Sequence, residues 1–304
     1  MKIAYLIQCH KEPAQVERLV RVLHRLDPVA IIHVSHDVNG EPGIDALRGL
    51  DRTTVVQDIG GRGQFHFILR WLKAIEQIRE QGGADFVVML SGQDYPLRPL
   101  VEMHTELAAS GDGFLEHFPA LVEEGNQWSA REGRSRYMYR WREICTISDR
   151  TRDRIHLLHG LNRLQPLVRV NVAYGGLKVG FRGSHIPAGM ECRGGSMFHS
   201  LSWRSVEYVV RTVRDRPDLL RWARSSLNID EAFFQTVLVS AGQFHFLPSA
   251  RRFYRFEGSH FGHPKVLTAA DARAALDSGD YFARKFDRAV HPEAFDVVDR
   301  ALGL

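Results

Sequence analysis

Four short strings in this sequence gather residue types that could move a group from an activated donor to a hydroxyl. Residues 90–97 read Leu-Ser-Gly-Gln-Asp-Tyr-Pro-Leu. An apolar run ends there in Ser91-Gly92, where the backbone can turn sharply. Asp94 then stands at a sheet edge, able to bond a sugar or ribose hydroxyl; capping the segment after Pro96 accounts for it equally well. Residues 191–198 read Glu-Cys-Arg-Gly-Gly-Ser-Met-Phe. Paired glycines let backbone approach a ligand closely, and Glu191 is a carboxylate that could deprotonate an attacking hydroxyl. An exposed loop glutamate is the plainer reading. Residues 228–234 set Asp230 and Glu231 at a helix start, where they suit the cap and the dipole; the sharper alternative has Glu231 binding sugar or acceptor. Residues 281–287 frame Arg284 and Lys285 with aromatics, a pair able to neutralise a leaving diphosphate, although such doublets usually lie on the surface.

Metal chemistry has little support in the sequence. No Asp-x-Asp occurs, and the three H-x-x-H pairs (His33/His36, His156/His159, His260/His263) belong to no H-E-x-x-H or cysteine cluster. With fifteen histidines such spacings arise by chance. No metal ligands are therefore expected, and cationic side chains must take the metal's place beside any diphosphate. Cys9, Cys145 and Cys192 form no C-x-x-C and imply a reducing compartment.

The elements that must position these residues follow from periodicity. Apolar runs at 2–8, 29–34, 53–57 and 85–90 read as strands, with helical patterns at 16–26 and 65–79 between them. Strands separated by helices pair in parallel with right-handed crossovers, which predicts an α/β, Rossmann-type nucleotide-binding fold with a mostly parallel central sheet. Ligands bind beyond the carboxyl ends of such strands. Gln8-Cys9-His10, Ser35-His36-Asp37 and Ser91 to Asp94 all fall there. No G-x-G-x-x-G opens the first helix, so a mononucleotide suits better than a dinucleotide. Residues 123–181 mix aromatic and basic side chains, Trp128, Arg131, Arg136 and Trp141 among them. They read as a long functional loop with short helices that meets the acceptor through Trp128 and Arg131, or as a solvated basic surface. Beyond it the pattern predicts a strand at 195–202, helices at 203–214, 230–239 and 268–278, and strands at 244–247 and 252–256.

The 304 residues suit a single domain, with a nucleotide-binding half at 1–120 and an acceptor and diphosphate-binding half at 121–304. Forty Lys and Arg against thirty-six Asp and Glu leave +4, which reads as too small and dispersed to call for nucleic acid. The sequence shows no signal peptide and no apolar stretch of the roughly 18 residues that span a bilayer. A cytoplasmic location is expected, with peripheral contact at the inner membrane left open.

Taken in order, IAYLIQCHK, IIHVSHD, LSGQDYPL, GGSMFHSLSW, DEAFFQTVL, HPKVLTA and YFARKFD resemble the Core-2/I-branching β-1,6-N-acetylglucosaminyltransferases and the related peptide O-xylosyltransferases, over residues 3–287. The resemblance implies a GT-A-like fold and inverting, metal-independent transfer from a UDP-sugar to a glycan, lipid-linked glycan or peptide, with no cofactor besides the donor. It places His10, with Gln8 and Cys9, at the uracil end of UDP. Ser35 stands where the family carries an acidic nucleoside contact, with Asp37 two residues on; Asp94 joins this donor side. Lys285 matches the diphosphate lysine. Its arginine partner falls on Gly262, which leaves His263, Lys265, Arg284 and Arg255 as substitutes. Glu191 is the nearest match to the catalytic glutamate. Met197 replaces an aspartate of the xylosyltransferases, which favours GlcNAc over xylose; a non-catalytic nucleotide binder is the alternative of a different class.

Overall fold

The computed structural model describes residues 1–60, 65–155, 162, 166–172, 176–183, 186–257 and 264–304, the side chains at 149, 152 and 153 excepted. The first half alternates strand and helix: β1 (Ile3–Cys9), α1 (Pro13–Leu26), β2 (Ile31–Asp37), β3 (Thr53–Asp58), α2 (His66–Glu80) and β4 (Phe86–Ser91). Next come β5 (Tyr95–Pro96), α3 (Leu100–Ala109), β6 (Gly113–Leu115), β7 (Phe118–Pro119), α4 (Ala130–Tyr137), β8 (Tyr139–Thr146), α5 (Asp149–Ile155), β9 (Val168–Asn171) and β10 (Gly176–Arg182). The chain closes with β11 (Arg193–Gly194), β12 (His199–Ser202), α6 (Trp203–Asp215), α7 (Pro217–Arg224), α8 (Phe233–Ser240), β13 (Arg252–Phe253), α9 (Ala269–Leu276), β14 (Phe282–Ala283) and α10 (Pro292–Leu302).

A six-stranded sheet in the order β3-β2-β1-β4-β12-β6 forms the centre. β3, β2, β1 and β4 run parallel, while β12 pairs antiparallel with both neighbours. This is the mostly parallel α/β sheet that the periodicity predicts. Both faces of β1 and β4 are covered, which is why they read as unbroken apolar runs. Ile3, Tyr5, Ile7, Val88 and Leu90 pack with Val16, Leu19, Val20 and Leu23 of α1. Ala4, Leu6, Val87 and Met89 face the other way, onto Phe67, Ile68, Trp71 and Ile75 of α2. The alternation follows from the period of two along a strand. Among the described residues no helix is long and apolar enough to cross a membrane.

The second half departs from expectation in instructive ways. Within 123–181, where a loop is expected, β8, β10 and β9 make a three-stranded antiparallel sheet. Residues 244–247 form no strand; Leu247 alone bridges Phe114. The strand expected over 252–256 shortens to Arg252–Phe253. Residues 195–202 contribute only His199–Ser202 to the sheet. The helix expected from Asp230 starts at Phe233, after a 3₁₀ turn at Ile229–Glu231, and has no side-chain cap. Asp230 therefore does not serve as its cap.

Candidate active site

A cavity of about 800 Å³ opens at the carboxyl ends of β1, β2 and β4. The carboxyl-end loops contribute Gln8, Cys9, His10, Asp37, Ser91, Gly92 and Gln93 to one wall. Gln8 is pinned to α2 by its amide, which donates to the Phe67 carbonyl at 3.3 Å. Burial pushes the Cys9 thiol up to about 12, so it lines the cavity as a neutral, unreactive group. Asp37 organises its own loop, accepting from the backbone N–H groups of Asn39 at 3.0 Å and Gly60 at 3.1 Å.

The facing wall carries the acids. Glu116, Trp128, Asp230 and Glu231 all line the cavity. Gly195 accounts for the closeness of this wall: a Cβ there would lie 1.9 Å from the Glu116 carbonyl oxygen, while its own N–H donates to the Glu231 carbonyl at 2.9 Å. The Gly-Gly pair thus brings backbone against backbone and sets two carboxylates side by side. Arg136 of α4 reaches Glu231 Oε2 at 2.6 Å and lies 4.4 Å over the Trp128 ring. Glu116 has its carboxyl pushed up, first by burial and then by the Glu231 charge.

Cations occupy the third side. Arg284 and Lys285 follow β14 and line the cavity together. Arg284 stacks 4.4 Å over Phe198, beside Arg252 at 4.1 Å over the same ring. Lys11 adds a third positive charge, held by Asp287 at 2.6 Å, and buried Arg70 a fourth.

Of the residues singled out from sequence, Gln8, Cys9, His10, Asp37, Trp128, Glu231, Arg284 and Lys285 meet in this cavity. Ser91, Gly92, Gln93, Met197 and Asp230 line it as well, whereas Glu191, Asp94, Ser35, Lys265, Arg255 and Arg131 do not. Glu191 is 64% exposed and paired with Arg193 at 2.7 Å, because the segment before β11 runs along the surface. Asp94 is fully buried: it accepts from Ser91 N–H at 2.5 Å and Ser91 Oγ at 2.6 Å and pairs with Arg252. It therefore neither caps a helix nor lines the cavity. Ser35 lies behind the wall, its Oγ accepting from Arg70 Nε at 2.8 Å. Lys265 and Arg255 both turn to Asp271, at 3.0 and 3.6 Å, the carboxylate that the capping box of α9 fixes there. Arg131 is exposed on α4. Gly262, His263 and two of the H-x-x-H pairs lie outside the described residues. Glu116, Lys11 and Arg70 carry no local signal in sequence; only the fold places them. Among the described residues, no group of three His, Cys, Asp or Glu is placed to hold a metal ion.

Parallel strands end here in a cavity with cations on one side and carboxylates on another, an α/β fold with a charge-divided site. The chain belongs to the Core-2/I-branching enzyme family, whose model matches residues 62–271. It is 23% identical over 326 residues to the mouse beta-1,3-galactosyl-O-glycosyl-glycoprotein beta-1,6-N-acetylglucosaminyltransferase 4. That match covers 95% of this chain, which spans 63% of the mouse protein's length. The zebrafish (Danio rerio) protein of the same name is 22% identical, with 99% of this chain and 69% of that protein covered. Among solved structures, a 4-diphosphocytidyl-2C-methyl-D-erythritol synthase superposes with a TM-score of 0.31 at 12% identity, over 42% of this chain and 65% of the other.

Proposed function

We propose that the protein is an inverting glycosyltransferase that moves a sugar, GlcNAc foremost, from a UDP-sugar to a hydroxyl of a glycan or glycoconjugate. The observation that carries this reading is one cavity holding Glu231 and Glu116 on one wall and Arg284, Lys285 and Lys11 on another. Single displacement at an anomeric carbon needs a base on the acceptor side and positive charge on the leaving-group side. Glu231 suits the base by position, since it lines the cavity and Arg136 holds its carboxylate in place at 2.6 Å. Glu116, pushed toward its neutral form, suits a hydrogen bond to a sugar hydroxyl. Lys285 and Arg284 take up the charge that develops on departing UDP, the role a divalent cation plays elsewhere, so no metal is required. The GlcNAc preference rests on the names of the relatives and on Met197, which lines the cavity.

Purified protein offered UDP-GlcNAc, UDP-xylose and a panel of glycan acceptors tests the assignment. Glu231→Gln should lower turnover by about 10²-fold or more while UDP affinity by calorimetry stays within twofold. Glu191→Gln should leave turnover within twofold of wild type. Loss of turnover in Glu191→Gln but not in Glu231→Gln would sink the choice of base, and UDP binding with no turnover on any pair would leave a nucleotide binder.

A further inference from the structure

The net charge of this chain is not dispersed. Residues 139–182 hold nine Lys and Arg against three Asp and Glu, whereas the remainder holds thirty-one against thirty-three. This one stretch of the sequence therefore carries all of the positive excess. Its register sorts the side chains. Trp141 pairs with Gly180, where a Cβ would lie 2.8 Å from the indole, so this face closes against the body of the protein with Tyr139 and Leu227. On the opposite face Phe181 lies between Arg140 and Val168, and Val179 between Arg142 and Val170. Arg140, Arg142, Arg150, Arg154 and Arg182 are exposed. So are three large apolar side chains of the same region: Ile144 at 61%, Leu167 at 65% and Phe181 at 52%.

We propose that the outer face of the β8-β10-β9 sheet docks the protein on an anionic lipid bilayer. An acidic polysaccharide needs the cations of this face, whereas the exposed aliphatic side chain of Ile144 beside Arg140, Arg142 and Phe181 adds nothing to it. Interleaved arginines and large apolar side chains instead match the two parts of an anionic membrane surface, headgroup charge and acyl boundary. β8 follows α4 after the single residue Met138, and α4 carries Arg136 to Glu231. The docking face is thus tied to the acid-bearing wall of the cavity. The inference does not depend on which sugar is transferred.

Sedimentation with extruded vesicles tests it with the intact protein. Binding is expected to vesicles containing phosphatidylglycerol, not to pure phosphatidylcholine, and should weaken between 0.1 and 0.5 M salt, about as surface charge is screened. Each arginine near the surface contributes about fivefold in partitioning. Arg140→Glu with Arg142→Glu should therefore lower affinity about 25-fold or more, and Arg140→Lys with Arg142→Lys should keep it. Phe181→Ser with Ile144→Ser should lower it about tenfold at unchanged charge. Because these positions are exposed, the melting temperature and UDP affinity should stay at wild-type values. No binding to anionic vesicles would overturn the proposal. So would vesicle binding indifferent to Phe181 and Ile144, and capture of a soluble acidic polysaccharide by this face under that condition would assign it to glycan instead.

Discussion

Glu116 and Glu231 share one wall of the cavity, and their partners differ. Arg136 pairs with Glu231 at 2.6 Å. Glu116 meets burial and the Glu231 charge, and both raise its pKa. An unfolded glutamate titrates near about 4.3, so the native state holds this proton more tightly than the unfolded chain. Linkage then fixes the sign. The stability contributed by protonated Glu116 is fully present below the unfolded value and is lost as pH rises through the raised folded value. Glu116→Gln removes that loss. Its melting temperature should exceed the wild type's at pH 7, by roughly 1–3 °C, and the gap should close near pH 4. A difference that is the same at both pH values would show that the pair does not interact as its geometry implies.

At the scale of elements, Asp94 acts as a strap. It gathers Ser91 at the end of β4 and Arg252 of β13, residues far apart in sequence, in a pair whose side chains are both buried. Arg252 also donates to the Met89 carbonyl at 3.0 Å and stacks on Phe198. Removing the carboxylate leaves a buried guanidinium without its counter-charge, a change that costs about 3–5 kcal/mol. Asp94→Ala should thus lower the melting temperature by roughly 5–8 °C, and it should weaken UDP binding because Arg284 shares both Phe198 and Asp94. An unchanged melting temperature would argue that the charge finds water or another partner. The same residue shows what a sequence can and cannot reveal. Strands β1, β2 and β4 were legible because burial on both faces leaves unbroken apolar runs. The placement of Gln8, His10 and Asp37 at the cavity followed from those strand ends. β8 was legible in principle, since Tyr139 and Trp141 turn inward between outward Arg140 and Arg142, yet basic composition masks that alternation. The partner of Asp94 was not legible, because nothing local distinguishes Arg252 from its neighbour Arg251. Likewise Glu191 and Glu231 look equivalent as strings, and only the close backbone approach at Gly195 brings one of them to the cavity.

For the whole molecule, the cavity is the place where distant parts of the chain meet. Residues 8–11, 91–93, 195–198 and 284–285, with Asn228, Asp230 and Glu231, contribute to its lining, so a ligand bound there ties the ends of the central sheet to the C-terminal segment. Binding to the native state alone stabilises it by mass action, about 2.7 kcal/mol at a hundred times the dissociation constant. For a chain of this length that corresponds to a rise of about 4 °C in melting temperature. UDP should produce this rise, and Lys285→Ala at the same UDP concentration should reduce it to about 1–2 °C while sparing the smaller shift given by uridine. Lys265→Ala should keep the full shift, because Asp271 holds that ammonium at 3.0 Å and it does not line the cavity. If cationic side chains do the work of a metal, the UDP shift should be the same with and without EDTA. A shift that disappears in EDTA and returns with Mn²⁺ would move the diphosphate from Lys285 and Arg284 to a bound cation, and the metal-independent mechanism would fall with it.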